Sequence, residues 1–558
     1  MTPSSIKART ASCSVEETLR RPCRLAIPKS TFLGLKGILT SCLLVLLALG
    51  FATEAAPQQR LRPRMRSEPS LTLPASTPEA EGMDSLRLAQ GIDLLIANRE
   101  QYRVHSVMVV RNGHVVLDAR FYPFATDELH DLASVTKSVL STLVGIAIDK
   151  GFIPSVDAHM LDFFPGRVIA NLDDRKRAIT IKHLLTMRSG LHCDPGGFEQ
   201  TLTDMTNSPD WVQFALDLPM DEEPGRTDVY CSPCVHLLSA ILQQATDMSA
   251  LEFAKRHLFA PLGATNVLWP ADPQGVTRGW GDLALEPQDI AKLGVLFLNG
   301  GTLFGRRVVS PAWIDAATTV PEGYEYPGWP EGEGRGYLWW LAPEGYGAAG
   351  RGEQNVLVYP DEELVIGLTG GGGTGNYEHY EPIKRQFLDD VLAAVVSHDA
   401  LPANPQGVAE LAGRLAEAAA AYGQPQDVPP LPPLAAAISG RTILLLPNAN
   451  SLDALRFDFP GGDEAMAYVT LPELAGGPTM TLPLGLDDVY RRGTGRFGFP
   501  AYSKGRWEAG NRLVVMVDEV GLIVLWRIEL TFSGTSVTGT MTCVAGGLAS
   551  GMFTGTVQ

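Results

Sequence analysis

Ser134 and Lys137 stand one helical turn apart in the stretch HDLASVTKSVLSTLVGIAIDKG, which runs from His130 to Gly151. After the serine the stretch is apolar nearly all round, with Val135, Val139, Leu140, Leu143, Val144 and Ile146. A helix of that composition is buried. Residues at i and i+3 share a helix face, so Ser134, Lys137 and Ser141 point the same way. A charged amine in such a helix is costly unless it is paired or loses its proton. Catalysis would explain it. A serine hydroxyl is a poor nucleophile until a base takes its proton. A neutral lysine one turn away can be that base, and the free N–H groups of a helix start can hold a developing oxyanion. The pair is the S-x-x-K arrangement of acyl transfer. The pattern is weak by itself, because Ser4-Ser5-Ile6-Lys7 repeats it near the start of the chain. A helix start followed by a snorkelling lysine is the competing reading.

Such a pair needs a rigid frame. From about Glu81 to Val396, helical periodicity alternates with short β-rich runs. SVMVVRNGHVVLDARFY predicts a hairpin about Asn112-Gly113. Helices follow, then strand-like LWWLAPEGYGAAG and QNVLVYPDEELVIGLTGG, with a turn at Pro360-Asp361. That order is α+β. Residues 397–435 contain the helical VAELAGRLAEAAAAYG and the Pro-rich PPLPP, and read as a linker or packing arm. Residues 436–558 change character. Period-2 alternation places Trp526, Ile528, Leu530 and Phe532 on one strand face, which predicts an all-β barrel or sandwich. No catalytic constellation is evident in that module.

The chain has 558 residues and a formal net charge of -17, and it shows no basic stripe, so nucleic acid is not an expected partner. Residues 1–56 read as a leader: Arg20, Arg21, Arg24, Lys29 and Lys36 precede the short apolar run Ile38 to Ala52, and small residues follow. Export is the expectation, with a membrane-anchored, uncleaved segment as the alternative. Residues 57–80 read as a linker.

Four segments together resemble a known family: the nucleophile stretch, TIKHLLTMRSGL, PGRTDVYCSPCVHLLSAILQQATDMS and PLGATNVLWP, in that order and spacing. They are similar to the serine beta-lactamase-like hydrolases, a group that includes class C beta-lactamases, D-alanyl-D-alanine carboxypeptidases, esterases and 6-aminohexanoate-oligomer hydrolases. The resemblance covers residues 81–396. It implies an antiparallel sheet flanked by helices, with the active site between an α/β part and a helical subdomain. It implies Ser134 as acylated nucleophile, Lys137 as its base partner, and no cofactor or metal. The family's Y-x-N motif reads Tyr230-Cys231-Ser232 here. Tyr230 would then be the phenolic acid/base, while Ser232 stands where the family has asparagine. The third motif, K-T-G or H-x-G, is missing. The corresponding run is Tyr346-Gly347-Ala348-Ala349-Gly350-Arg351-Gly352. Backbone N–H groups at Gly350 or Arg351 could still join that of Ser134 in an oxyanion hole, with Ala348 and Trp340 beside the pocket. This departure favours small esters or amides over beta-lactams or D-alanyl-D-alanine substrates. A catalytically inactive relative that binds a cell-envelope partner is the alternative outside enzymology.

Other residues offer other chemistry. Cys231-Ser232-Pro233-Cys234 could be a redox dithiol, or with His192, Cys193 and His236 a zinc site. Exported members of the family often bridge the cysteines corresponding to Cys193 and Cys231, and the resemblance implies that disulfide, with plain buried thiols as the remaining reading. His183 could be proposed as a base, though a helical histidine is more often structural. Gly370 to Gly375 lacks the ending of a phosphate loop. Trp339 could line a pocket or fill a core.

Overall fold

Asn112 and Gly113 both take positive φ, 51° and 78°, the backbone that a two-residue hairpin turn demands. They join strands Val104–Arg111 and His114–Arg120. This hairpin begins the main sheet in the computed structural model, which describes residues 71–124, 128–194, 199–372, 377–421, 425–472, 479–545 and 550–558, without the side chains of 377–380. The leader at 1–56, most of the 57–80 linker, Cys13, Cys23, Cys42 and Gly373 to Gly375 lie outside the described residues.

Among the described residues the sheet has seven antiparallel strands. Their order is His114–Arg120, Val104–Arg111, Leu364–Gly370, Gln354–Tyr359, Gly345–Gly350, Trp340–Ala342 and Gly334–Arg335. The Pro360-Asp361 turn joins two central strands. One face is covered by helices Ser85–Ala97, Tyr377–Ala394 and Pro405–Ala419, whose Leu88, Ile92, Phe387, Val391 and Leu411 share a core with the sheet. Pro405–Ala419 therefore packs on the sheet as an arm, and among the described residues of 397–435 the Pro-rich part leads on toward the barrel. The other face meets Pro287–Leu298 and the buried helix Val135–Asp149. Beyond that helix lies the helical part, in which Ser232–Thr246 packs against it.

From Thr442 to Val557, ten strands among the described residues close a barrel, sealed by pairing of Ile443 with Val557. The expected barrel-or-sandwich module is thus a barrel. Trp526, Ile528, Leu530 and Phe532 all face its interior core. Two ion pairs, the first largely buried and the second with Arg492 exposed, dock it to the sheet domain. Asp518 accepts from Arg103 at 2.8 Å, and Glu128 accepts from Arg492 at 2.6 Å.

Candidate active site

The turn leading to Ser134 is held from both sides by backbone pairing. His130–Asp131 pairs with Ala284–Leu285. Leu132 N–H donates to Leu283 O at 2.8 Å. Ala133 takes φ 44°, a strained choice for alanine. Its N–H donates to Asp131 Oδ1 at 2.8 Å, which ties the strained turn down. Burial, with repulsion from Asp282, pushes the Asp131 pKa up to about 7, and the Arg351 charge pulls partly against this.

Ser134 then caps the helix Val135–Asp149 without spending its side chain on the cap. Lys137 is 3% exposed. Its Nζ donates to Ser134 Oγ at 2.9 Å and to Trp280 O at 2.7 Å. Among the described residues no carboxylate lies within ion-pair distance of it. Tyr230, just before the helix Ser232–Thr246, donates from its hydroxyl to Ser134 Oγ at 2.8 Å. The lysine Nζ lies 4.9 Å from the Tyr230 ring centre. The structure therefore brings Ser134, Lys137 and Tyr230 together around one oxygen atom.

The strand Gly345–Gly350 passes beside this cluster. A Cβ built on Gly350 would fall 2.9 Å from Ser134 N and 2.6 Å from Leu132 O. Only a glycine lets this strand lie so close to the turn at Ser134. Arg351 follows at the strand end, and its charge acts on Asp131.

The remaining predicted residues are distributed differently. The Ser232 hydroxyl bonds Glu199 Oε1. Ala348 is fully buried in the core under the strand, so it supports the site without opening to it. Trp340 is 36% exposed and stacks on Trp329 at 5.6 Å. Trp339 is buried against Phe297 at 4.0 Å. Cys193 and Cys231 have Cα atoms 5.7 Å apart, within disulfide range. Cys234 Sγ lies 2.7 Å from Cys231 Sγ, and burial raises the Cys234 thiol pKa to about 12. His183 caps its own helix with Thr180. His192 pairs with Asp221 and His236 with Asp272, so neither turns to the cysteines.

Sequence reasoning missed three parts. Trp280 contributes a backbone carbonyl, which leaves no side-chain signature. Glu199 lies far along the chain from Ser232. Arg335, 4% exposed, is packed 4.2 Å from the Trp340 ring and 5.5 Å from the Tyr230 ring, and it donates to Asp228 at 3.0 Å. Burial outweighs that pairing and raises the Asp228 pKa. The aromatic flanks of Arg335 in GRGYLWW were the available signal.

A family model described as Beta-lactamase matches residues 92–413. The 6-aminohexanoate-dimer hydrolase of Paenarthrobacter ureafaciens is 25% identical over 370 residues, covering 62% of this chain and 90% of that protein. Beta-lactamase-like protein 2 of Dictyostelium discoideum is 24% identical over 225 residues, covering 36% of this chain and 41% of its own. Among solved structures, a family VIII carboxylesterase superposes with a TM-score of 0.46 at 17% identity, over 57% of this chain and 98% of that one.

Proposed function

The chain belongs to the beta-lactamase family, and from that premise we propose that it hydrolyses esters or small amides through a Ser-Lys-Tyr acyl-enzyme mechanism. One observation carries the proposal: Ser134 Oγ lies 2.9 Å from Lys137 Nζ and 2.8 Å from Tyr230 Oη. Ser134 attacks the substrate carbonyl, and its proton passes to the Lys137–Tyr230 pair. The step requires the amine without its proton, and Trp280 O fixes its direction. The N–H of Ser134, with a second from Gly350 or Arg351, holds the oxyanion. Tyr230 returns the proton to the leaving group. A water, activated by the same pair, then releases the acyl group.

Two features favour a small ester or amide over a beta-lactam or a D-alanyl-D-alanine peptide. The strand Gly345–Gly350 carries neither lysine nor histidine, and the Arg351 charge acts on Asp131. Arg335 is already paired with Asp228. The intact contacts among all three side chains speak against a binding-only relative.

Export follows as part of the same reading. It rests on the basic-then-apolar order of residues 1–56 and on a Cys193–Cys231 bridge, which suits an oxidising compartment. Among the described residues no helix is long and apolar enough to cross a membrane.

The test is fluorophosphonate labelling with peptide mapping, run beside turnover of p-nitrophenyl esters, a short amide, a chromogenic cephalosporin and a D-Ala-D-Ala peptide. Label on the Ser134 peptide, lost in Ser134→Ala, is expected. Lys137→Met should slow acylation by roughly 10²–10⁴-fold, the usual worth of a general base. An unlabelled wild-type chain, or a Ser134→Ala chain that still turns over esters, would refute the mechanism.

A further inference from the structure

The barrel holds a second lined space, remote in sequence from the nucleophile. Its volume is about 370 Å³, and its wall includes Leu452, Val469, Met480, Leu482, Ile528 and Met541. All six are buried. The rim is different: Ala449 and Ser451 are exposed, and so is Phe497, at 48%. Ordinary packing leaves few voids larger than a water molecule. Small-molecule sites span about 300–1,000 Å³ and are mostly apolar, with a few placed polar groups. Closed barrels hold such ligands in their interiors.

The polar groups define the ligand's chemistry. The lining has two charged residues, Arg496 and Glu519, and they are paired with each other. Glu519 Oε2 accepts from Arg496 Nη2 at 2.6 Å and from Trp526 Nε1 at 2.9 Å, and Oε1 accepts from Arg496 Nε at 3.0 Å. The wall therefore presents no net charge. A ligand carboxylate would sit beside Glu519 with no cation left to it. An uncharged oxygen could still accept from Arg496 Nη1, which makes no bond to Glu519.

We propose that the C-terminal barrel binds a neutral, mainly apolar small molecule carrying one hydrogen-bonding head group, such as a medium-chain alcohol, amide or ester. The site is separate from Ser134 and does not depend on the acyl-enzyme reading.

The full chain is titrated with N-phenyl-1-naphthylamine, a neutral apolar fluorophore, and the bound probe is displaced with decan-1-ol or decanoate. Saturable binding is expected, with decanol competing at least tenfold better than decanoate. Val469→Trp and Met541→Trp, which fill the space, should each weaken probe binding at least tenfold while ester turnover stays within about twofold of wild type. Phosphonylating Ser134 with a fluorophosphonate should leave probe binding unchanged. An alkyl-diazirine alcohol should label wild-type peptides carrying Leu452, Leu482 or Met541, and this arm decides even if both filled variants misfold. Probe binding that survives in two folded filled variants, or is abolished by blocking Ser134, overturns the proposal. So does photolabel confined to the sheet domain, or decanoate competing as well as decanol.

Discussion

Replacing Gly350 by alanine tests the oxyanion arrangement at a single atom. The new Cβ would lie 2.6 Å from Leu132 O, 2.9 Å from Ser134 N and 3.2 Å from the Ala133 Cβ. Two of those neighbours are backbone, so no flexible side-chain end can move aside. Ordinary contact begins at 3.4 Å, and the first two distances fall short of it by 0.8 and 0.5 Å. Either the strand Gly345–Gly350 withdraws or the turn at Ser134 shifts, and both separate the two N–H donors of the proposed oxyanion hole. A misplacement of about 1 Å costs roughly 10²-fold in rate. Loss of one oxyanion donor costs about 10²–10³-fold, or about 2.7–4 kcal/mol. The displacement is somewhat under 1 Å, so kcat for a p-nitrophenyl ester should fall about 10²-fold. KM should change less than about threefold, because the interaction belongs to the transition state. Overpacking should lower stability by about 1–3 kcal/mol without unfolding the chain, which thermal melting and circular dichroism would check. A folded Gly350→Ala chain with kcat within threefold of wild type would remove this strand from the oxyanion hole.

Two further outcomes follow from the same region. The Asp131 pKa, pushed up to about 7 by burial from an ordinary 3.8, makes stability fall with pH, because the native state holds the proton more tightly than the unfolded chain. Its contribution is fully present below about pH 4 and is lost as pH rises through 7, on the order of 4 kcal/mol in total. Asp131→Asn keeps the acceptor for Ala133 N–H, so urea midpoints between pH 4 and 9 should lose that slope; parallel profiles for the two proteins would count against the shifted carboxyl. Ile523, from the barrel, is fully buried at φ 64° and packs where a Cβ on Gly352 would overlap its Cγ2, so a positioning role for it can be tested. Ile523→Ala should cost about 2–5 kcal/mol of stability and lower kcat about tenfold with KM held, Ile523→Val should restore kcat, and a melting loss with unchanged kcat would show that the barrel leaves the oxyanion turn alone.

What could be read from the sequence depended on how local the governing interaction is. The Asn112-Gly113 turn and the buried helix after Ser134 are written in adjacent residues, because positive φ and all-round apolarity are local demands. Barrel strands show equally well through the alternation at Trp526, Ile528, Leu530 and Phe532. Closure does not, since it rests on Ile443 meeting Val557 across the whole module. The amphipathic helix Pro405–Ala419 announces an apolar face, yet nothing local says that Leu411 is buried with the sheet domain.

The same distinction explains Lys137. Its sequence neighbours argue for an apolar residue, and its 3% exposure agrees with them. Its two acceptors come from different places: Ser134 one turn back, and the backbone of Trp280 from a loop far along the chain. Only the first could be seen in the S-x-x-K spacing. The second satisfies the buried amine and aims it at the hydroxyl, because a buried donor without a partner carries the full desolvation cost. Tyr230 approaches the same oxygen from a third segment, the one that also carries Cys231. The spacing motif thus encodes a helix with an amine on the right face. In the proposed mechanism Ser134 acts as a nucleophile only because two remote segments complete the cluster, so equally good S-x-x-K matches elsewhere in a chain need carry no chemistry.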